Sequence, residues 1–596
     1  MSFKYKNSFR GYFRFYYHIV GNRLFLFLAL SIFISALDGV GLAMFIPLLQ
    51  AVSANNASHG TETLGRLHYV VDAMRLVGLN LTVASILMVL VLLFVFKGVV
   101  RFIQLNYYAK LRQYFIKKVR FSLVDNLQLL SYNAFLKMDA GNIHNTLTVE
   151  VQRLFQTMRF YFDAAQAFAM LFTYMVLAVL ANYQFALLVA VGAAISNLLY
   201  RKIYKVTKKT SVELSAKGTD FNGFLTQTTL YFKYLKSTNT FTLYARKLRQ
   251  VINESENLNR KIGKMNAITT SVKEPIIIMI VTAVILLQLQ LMGASLATII
   301  LSLLLFYRAL SFLVAVQNHW QGFIENIGGM NAVATMLEQM GQLHEVKGNI
   351  PFQGIRQQIV FEDVSFSYGK KQVLQNVNIT IPKKQTIALV GESGAGKTTI
   401  ANLIAGLVVP SKGQVMVDTI PLQQLDQDAY RSSIGYISQE SVIFNDTVFN
   451  NITLWASPTE ENRKRFFEVI NMASLQHFVN AQANREHERM GDNGMLISGG
   501  QKQRISIARE LYKKTEILIF DEATSALDAE TERIIQENIE KLYGNYTMVL
   551  IAHRLSTIRK ADIIYMIDQG QIAAHGSFNH MMQHSEAFKK MVALQL

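Results

Sequence analysis

Nine consecutive residues, Gly391, Glu392, Ser393, Gly394, Ala395, Gly396, Lys397, Thr398 and Thr399, carry the spacing G-x-x-x-x-G-K-[ST]. The chemistry this spacing serves is phosphate binding. Glycines let the backbone wrap tightly enough for its N–H groups to point inward at an anion. Lys397 adds a point charge, and Thr398 offers a hydroxyl to Mg²⁺. Residues 385–390 read as a buried strand, and a helix opens near Thr399 with its N-terminus toward the anion. An ordinary glycine turn would show the same local pattern, so the companion residues decide.

Those companions follow in order. Asp521 ends the apolar run 517–520, which places a carboxylate at a sheet's C-terminal edge near the Mg²⁺ held by Thr398. Glu522, next in the chain, is placed to polarise an attacking water as general base. Gln439 and His553 each follow an apolar run and could reach a γ-phosphate or that water. Ser498, Gly499, Gly500 and Gln501 open a second helix on a glycine nest, another anion site. Singly, a strand-end histidine is more often structural and an Asp-Glu pair more often solvated surface. Together, in one α/β stretch, they describe nucleotide chemistry.

The elements that must position these groups divide the chain. Of 596 residues, 51% are hydrophobic, and nearly all the long apolar runs lie before residue 320. Six stretches are long enough to cross a bilayer, near 24–50, 80–104, 163–181, 184–203, 274–291 and 295–317. Basic residues crowd the connections 101–160 and 201–273 and are sparse in 51–79, near Asn182 and in 288–293, which puts the termini and both long connections in the cytoplasm. The net charge of +18 is explained by this topology, so nucleic-acid binding is not expected. With no cysteine, disulfides, thiolate metal sites and cysteine nucleophiles are excluded. No cleavable signal peptide is expected.

The two long connections carry apolar residues at helical spacing and few Pro or Gly. They read as spanning helices that continue beyond the membrane and turn back through short crosspieces. Residues 1–23 are expected to form a cytoplasmic interfacial helix, 24–325 the six-helix membrane domain, 326–354 a linker and 355–596 the α/β domain. A further amphipathic helix is expected at 58–77. Within the spans, Asp38 and Arg308 sit at mid-depth. They are either a structural pair facing the bundle interior or charges facing a substrate. Lys97, nearer a span end, reads as snorkelling.

Residues 355–596 resemble the nucleotide-binding domain of an ABC transporter, above all in Ile497-Ser498-Gly499-Gly500-Gln501-Lys502-Gln503-Arg504, which is similar to that family's LSGGQ signature. The resemblance implies that Tyr368 stacks on adenine and that the phosphate loop and Asp521 hold ATP and Mg²⁺. Gln439 would sense Mg²⁺ and water, Glu522 would activate water, and His553 would contact the γ-phosphate. Ser498 and Gly500 would clamp the ATP of a second subunit, and 525–528 would link the two sites. The membrane half resembles the exporter-type six-helix domain, with 135–143 similar to its first cytoplasmic crosspiece and 240–247 where the second would lie. The implied fold is multidomain, an all-α six-helix transmembrane domain followed by an α/β P-loop ABC ATPase domain.

Two departures from the family pattern are Ile497 for leucine and Asp492 for glutamate in 491–494. Because Glu522 and the signature are intact, the expected assembly is a homodimer with two competent sites, multi-pass in the cell inner membrane. Residues 37–49, the helix near 58–77 and 306–310 resemble flippases for lipid-linked oligosaccharides. The expected activity is ATP-driven export of an amphipathic, lipid-linked substrate by alternating access. Multidrug or peptide export is the alternative, and an ATP-gated channel or regulator a remote one.

Overall fold

The computed structural model describes residues 8–44, 82–181, 183–291, 296–521, 529–551 and 558–593. The expected helix at 58–77 lies outside them, as do Glu522, His553 and 525–528. Two compact units divide between His344 and Glu345.

The first unit is helical. α1 (Phe9–Val20) is followed by α2 (Arg23–Ala43), α3 (Val83–Gln128), the short α4 (Ala140–Asn145) and α5 (Val151–Ala181). Then come α6 (Tyr183–Leu230), the short α7 (Phe232–Ser237), α8 (Phe241–Leu291) and α9 (Leu296–Gln342). Over the described residues, each of the six expected spans overlaps a different one of the long helices α2, α3, α5, α6, α8 and α9, the end of 24–50 lying outside those residues. Among the described residues, the helical segments Arg23–Gly41, Val83–Gln128 and Ala140–Val179 are long and apolar enough to cross a membrane. At about 1.5 Å per residue, the 46 residues of α3 and 48 of α6 reach far beyond one bilayer. That excess is the continuation beyond the membrane expected from the chain.

Two expectations shift. α1 is amphipathic as anticipated, but its aromatic face packs on protein: Tyr12, Phe15 and Tyr16 are buried with Phe115, Tyr161, Phe162 and Phe323. The second crosspiece is α7, at 232–237, whereas 240–247 begins the long helix α8. Residues 238–240, with Asn239 at φ +55°, interrupt the helical run there, and α8 resumes it and continues through Pro275.

α5 runs along α9, and α6 lies against both α8 and α9. Gly328 of α9 permits the last approach, because a Cβ there would meet Ser211 O at 2.3 Å. Half-buried between these helices, Arg153 donates to Ser215 Oγ at 2.6 Å, Ser211 Oγ at 2.9 Å and Glu325 O at 3.2 Å, with Glu150 Oε2 at 3.3 Å.

The second unit begins earlier than the expected boundary. Residues 326–342 continue α9 rather than forming a linker, while Glu345 pairs with Arg431 and Ile350 exchanges backbone hydrogen bonds with Gln424 and Asp426. A four-stranded antiparallel sheet, order β2-β1-β4-β5, is built from β1 (Gln358–Tyr368), β2 (Lys371–Pro382), β4 (Lys412–Val417) and β5 (Ile420–Pro421). A six-stranded sheet, order β10-β9-β3-β8-β7-β6, contains β3 (Thr386–Val390), β6 (Ile434–Ile437), β7 (Ile517–Asp521), β8 (Thr547–Ile551), β9 (Ile563–Asp568) and β10 (Gln571–Gly576). Its central pairings are parallel, and β3, β7 and β8 are buried along their whole length, as strands covered on both faces must be. One apolar core joins the two sheets through residues such as Phe361, Leu374, Leu389 and Ile519.

Candidate functional site: a phosphate loop at the parallel strand ends

The sheet order explains why residues scattered from 391 to 553 belong together. β3, β8, β7 and β6 are consecutive neighbours, and their carboxyl ends lead into the phosphate loop, His553, Asp521-Glu522 and Gln439 respectively. Ligands of open α/β sheets bind at that edge. Glu522 and His553 themselves lie beyond the described residues, but the strands feeding them, β7 and β8, pair in register with Asp521 opposite Ile551.

The loop leaves β3 at Gly391, whose φ is +146° and where a Cβ would meet Ile567 O at 2.1 Å. Gly396, at φ +111°, caps the helix α10 (Lys397–Ile404) and lies against Leu374 of β2. No other residue type fits either place without displacing backbone or core. Lys397 is buried, and its Nζ donates to Gly391 O at 2.8 Å and Glu392 O at 2.9 Å, so the ammonium is folded over the cradle's floor. Glu392, Ser393 and Gly394 form the exposed rim, while Ala395 and Thr399 are buried. Thr398 Oγ1 stands 3.5 Å from Asp521 Oδ1, bringing together a hydroxyl and a carboxylate from two elements. Hard oxygen donors of this kind, with room for phosphate oxygens and water, suit Mg²⁺. Tyr436 donates to Asp521 Oδ2 at 3.1 Å; burial, reinforced by this carboxylate, pushes the phenol's pKa well up. Sequence reasoning missed Tyr436, because its contact depends on β6 lying beside β7.

Tyr368 ends β1 half-buried, its ring edge-on to Phe366 at 4.7 Å. Gln439, two residues past β6, is exposed. α11 (Val448–Thr453) and α12 (Glu460–Met472) follow, and then the signature helix α13 (Gly499–Tyr512). Ser498 caps α13: its Oγ accepts from Gln501 N at 3.3 Å, and its N–H donates to Gln501 Oε1 at 2.9 Å. This capping box gives Gln501's side chain a structural job, whereas the sequence reading grouped it with ligand-facing residues. Ser498 and Gly499 are exposed.

In the helical unit, Asp38 and Arg308 do not form the pair considered from the sequence. Asp38 is ion-paired with Lys97 and accepts from Tyr174 OH at 2.6 Å. Lys97 is thus held by a partner rather than snorkelling. Arg308 and Arg101 are near enough to act on the Lys97 charge, and Arg308 is exposed.

An α/β ATPase unit behind six long helices, with a phosphate loop and a signature helix in one chain, defines an ABC transporter of the exporter type. Matches to family models agree: residues 24–318 match the ABC transporter transmembrane region and 374–525 match ABC transporter. The chain belongs to this family. It is a half-transporter, an integral membrane protein that binds and hydrolyses ATP. It is 32% identical to the heterocyst differentiation ATP-binding protein HepA of a Nostoc species, over 77% of this chain and 76% of that protein. It is 27% identical to an ATP-dependent lipid A-core flippase of Mannheimia succiniciproducens, covering 86% and 88%. The Escherichia coli flippase of the same name is 41% identical over 40% of this chain and 41% of its own. The fold matches a bacterial Atm1-family ABC exporter with ATP bound at a TM-score of 0.77, with 23% identity and coverage of 97% and 99%.

Proposed function

We propose that this exporter works as a homodimer that flips a lipid with an anionic headgroup, with a lipid-linked oligosaccharide the favoured example, out of the cytoplasmic leaflet of the cell inner membrane. The termini and ATPase unit face the cytoplasm in this reading. The observation that carries the substrate class is the charge imbalance around Asp38. One carboxylate is already engaged by Lys97 and Tyr174, and two further cations, Arg101 and Arg308, are near enough to act on the Lys97 charge. Arg101 and Arg308 are exposed, and a surplus of positive charge at membrane depth is costly unless something negative meets it. Arg308's guanidinium offers bidentate hydrogen bonds that suit phosphate oxygens. The names of the flippase relatives favour the same class.

In the ATPase unit, backbone N–H groups of 391–397 and Lys397 would bind the phosphates. Thr398, Asp521 and Gln439 would hold Mg²⁺, which supplies charge neutralisation at the phosphoryl oxygens when bound. Tyr368 would stack on adenine. Glu522 would take a proton from the attacking water, and His553 would contact the γ-phosphate. Ser498 and Gly499 are open to solvent and Gly500 is half-buried beside them, which suits a clamp for a second subunit's nucleotide. Closing two units around ATP turns the cavity outward, and hydrolysis resets it.

The test is ATP turnover beside ATP binding in Glu522→Gln. Turnover is expected to fall by a factor of at least about 100 with binding retained. Turnover near the wild-type rate in that variant would remove the general-base assignment.

A further inference from the structure

The signature helix and the loop that follows Gln439 are joined by a buried arginine to which no role has so far been given. Arg509 lies on α13 with 6% of its surface exposed. Its guanidinium donates to Asn451 O at 2.6 Å, Val442 O at 2.8 Å and Asn451 Oδ1 at 3.1 Å, and lies over the Phe444 ring, 5.3 Å from its centroid. Asn451, fully buried at the start of the chain's turn away from the loop, answers from the other side. Its Nδ2 donates to Phe444 O at 2.9 Å and Thr447 O at 3.0 Å, and its Oδ1 accepts from Phe444 N at 2.8 Å. A buried guanidinium turned onto one carbonyl of the loop and one of α11, rather than onto a carboxylate, is a geometric device. Its fixed fork reads the position of two backbone oxygens at once.

The same loop is fastened along its second edge. Met490 N donates to Asp446 O at 3.0 Å, Val448 N to Glu488 O at 3.0 Å, and Asn445 Nδ2 to Asp492 Oδ1 at 2.5 Å. Lys502 of α13 closes the circuit by donating to Asn493 O at 2.7 Å. The loop 442–447, the turn at 491–494 and the helix capped by Ser498 are therefore tied pairwise. The loop cannot leave α13 without breaking the buried hydrogen bonds of Arg509, while the two ties to the turn, Asn445 to Asp492 and Lys502 to Asn493, are exposed.

We propose that Arg509, through Asn451, is a positioning residue for ATP hydrolysis: it fixes the loop after Gln439 to the signature helix, so that Gln439 is brought to the phosphate end only in step with α13. This rests on the reading of Gln439 above. It differs from plain domain stabilisation in predicting that the effect of Arg509 passes through Gln439.

The experiment is a double-mutant cycle on the full-length protein in nanodiscs of one fixed phospholipid mixture, with MgATP as the only added ligand. Arg509→Lys keeps the charge but cannot span both Val442 O and Asn451. It is expected to lower kcat about tenfold and leave KM for ATP within about twofold. Gln439→Ala alone is expected to lower kcat at least as much, and Arg509→Lys added to it to cost less than about twofold more. Phe444→Leu, which leaves every hydrogen bond in place, is a milder version with the same pattern and covers the case in which Arg509→Lys fails to fold. Full additivity of the two substitutions, or an unchanged kcat in folded Arg509→Lys or Phe444→Leu, would overturn the proposal. An unchanged kcat in Gln439→Ala would overturn it too, and would locate the error in the role given to Gln439.

Discussion

Two lysines, Lys397 and Lys97, show how differently the halves of this protein hold a charge. Lys397 is bonded to the carbonyls of Gly391 and Glu392, six and five residues away in a loop whose glycine conformations are set locally. Lys97 is bonded to Asp38, 59 residues away on another helix. The first arrangement is written into one short stretch of chain, and the second exists only once α2 and α3 have packed. A motif whose geometry is local announces its chemistry by spacing. A charge settled by helix packing does not.

The comparison can be broken at its stronger end first. Lys397→Ala removes the cradle's cation without touching the core, and ATP turnover is expected to fall at least about 100-fold while the protein still folds and inserts. Measured by phosphate release on purified protein, a loss below about threefold would mean that the buried amine is structural. At the other end, Asp38→Asn leaves Lys97 without its counter-charge inside the bundle. The expected cost is about 2–3 kcal/mol, read as a lower thermal midpoint, and the double variant Asp38→Asn/Lys97→Met is expected to recover most of it. If Asp38→Asn alone were neutral, the pair would not be holding the helices.

The same contrast decides what could be read from the sequence. The phosphate loop, Asp521 and the signature were legible because strand, turn and helix each left a local signal around them. Parallel neighbours then brought β3, β8, β7 and β6 to one edge, as an alternating strand–helix texture implies. The six long helices were legible from apolar length, and their overshoot from helical periodicity. Three things were not. Tyr436's bond to Asp521 depends on sheet order, α7's place at 232–237 on where two helices break, and Asp38's choice of Lys97 over Arg308 on packing across the bundle. Gln501's capping role was not read for a related reason, since a signature motif and a capping box share the same residues. In the boundary region, 326–342 carries no Pro and continues α9, so the linker expected there is helix.

Arg308 is where the account of the helical unit meets the account of the substrate. The direct measurement is ATP-dependent flipping in proteoliposomes, with a fluorescent lipid-linked oligosaccharide compared against a neutral-headgroup lipid of the same tail. The wild type is expected to flip the anionic probe in preference, and Arg308→Ala to lose that preference by about tenfold while keeping basal ATP turnover. Equal flipping of both probes by the wild type, or an unchanged preference in Arg308→Ala, would contradict the anionic-lipid assignment.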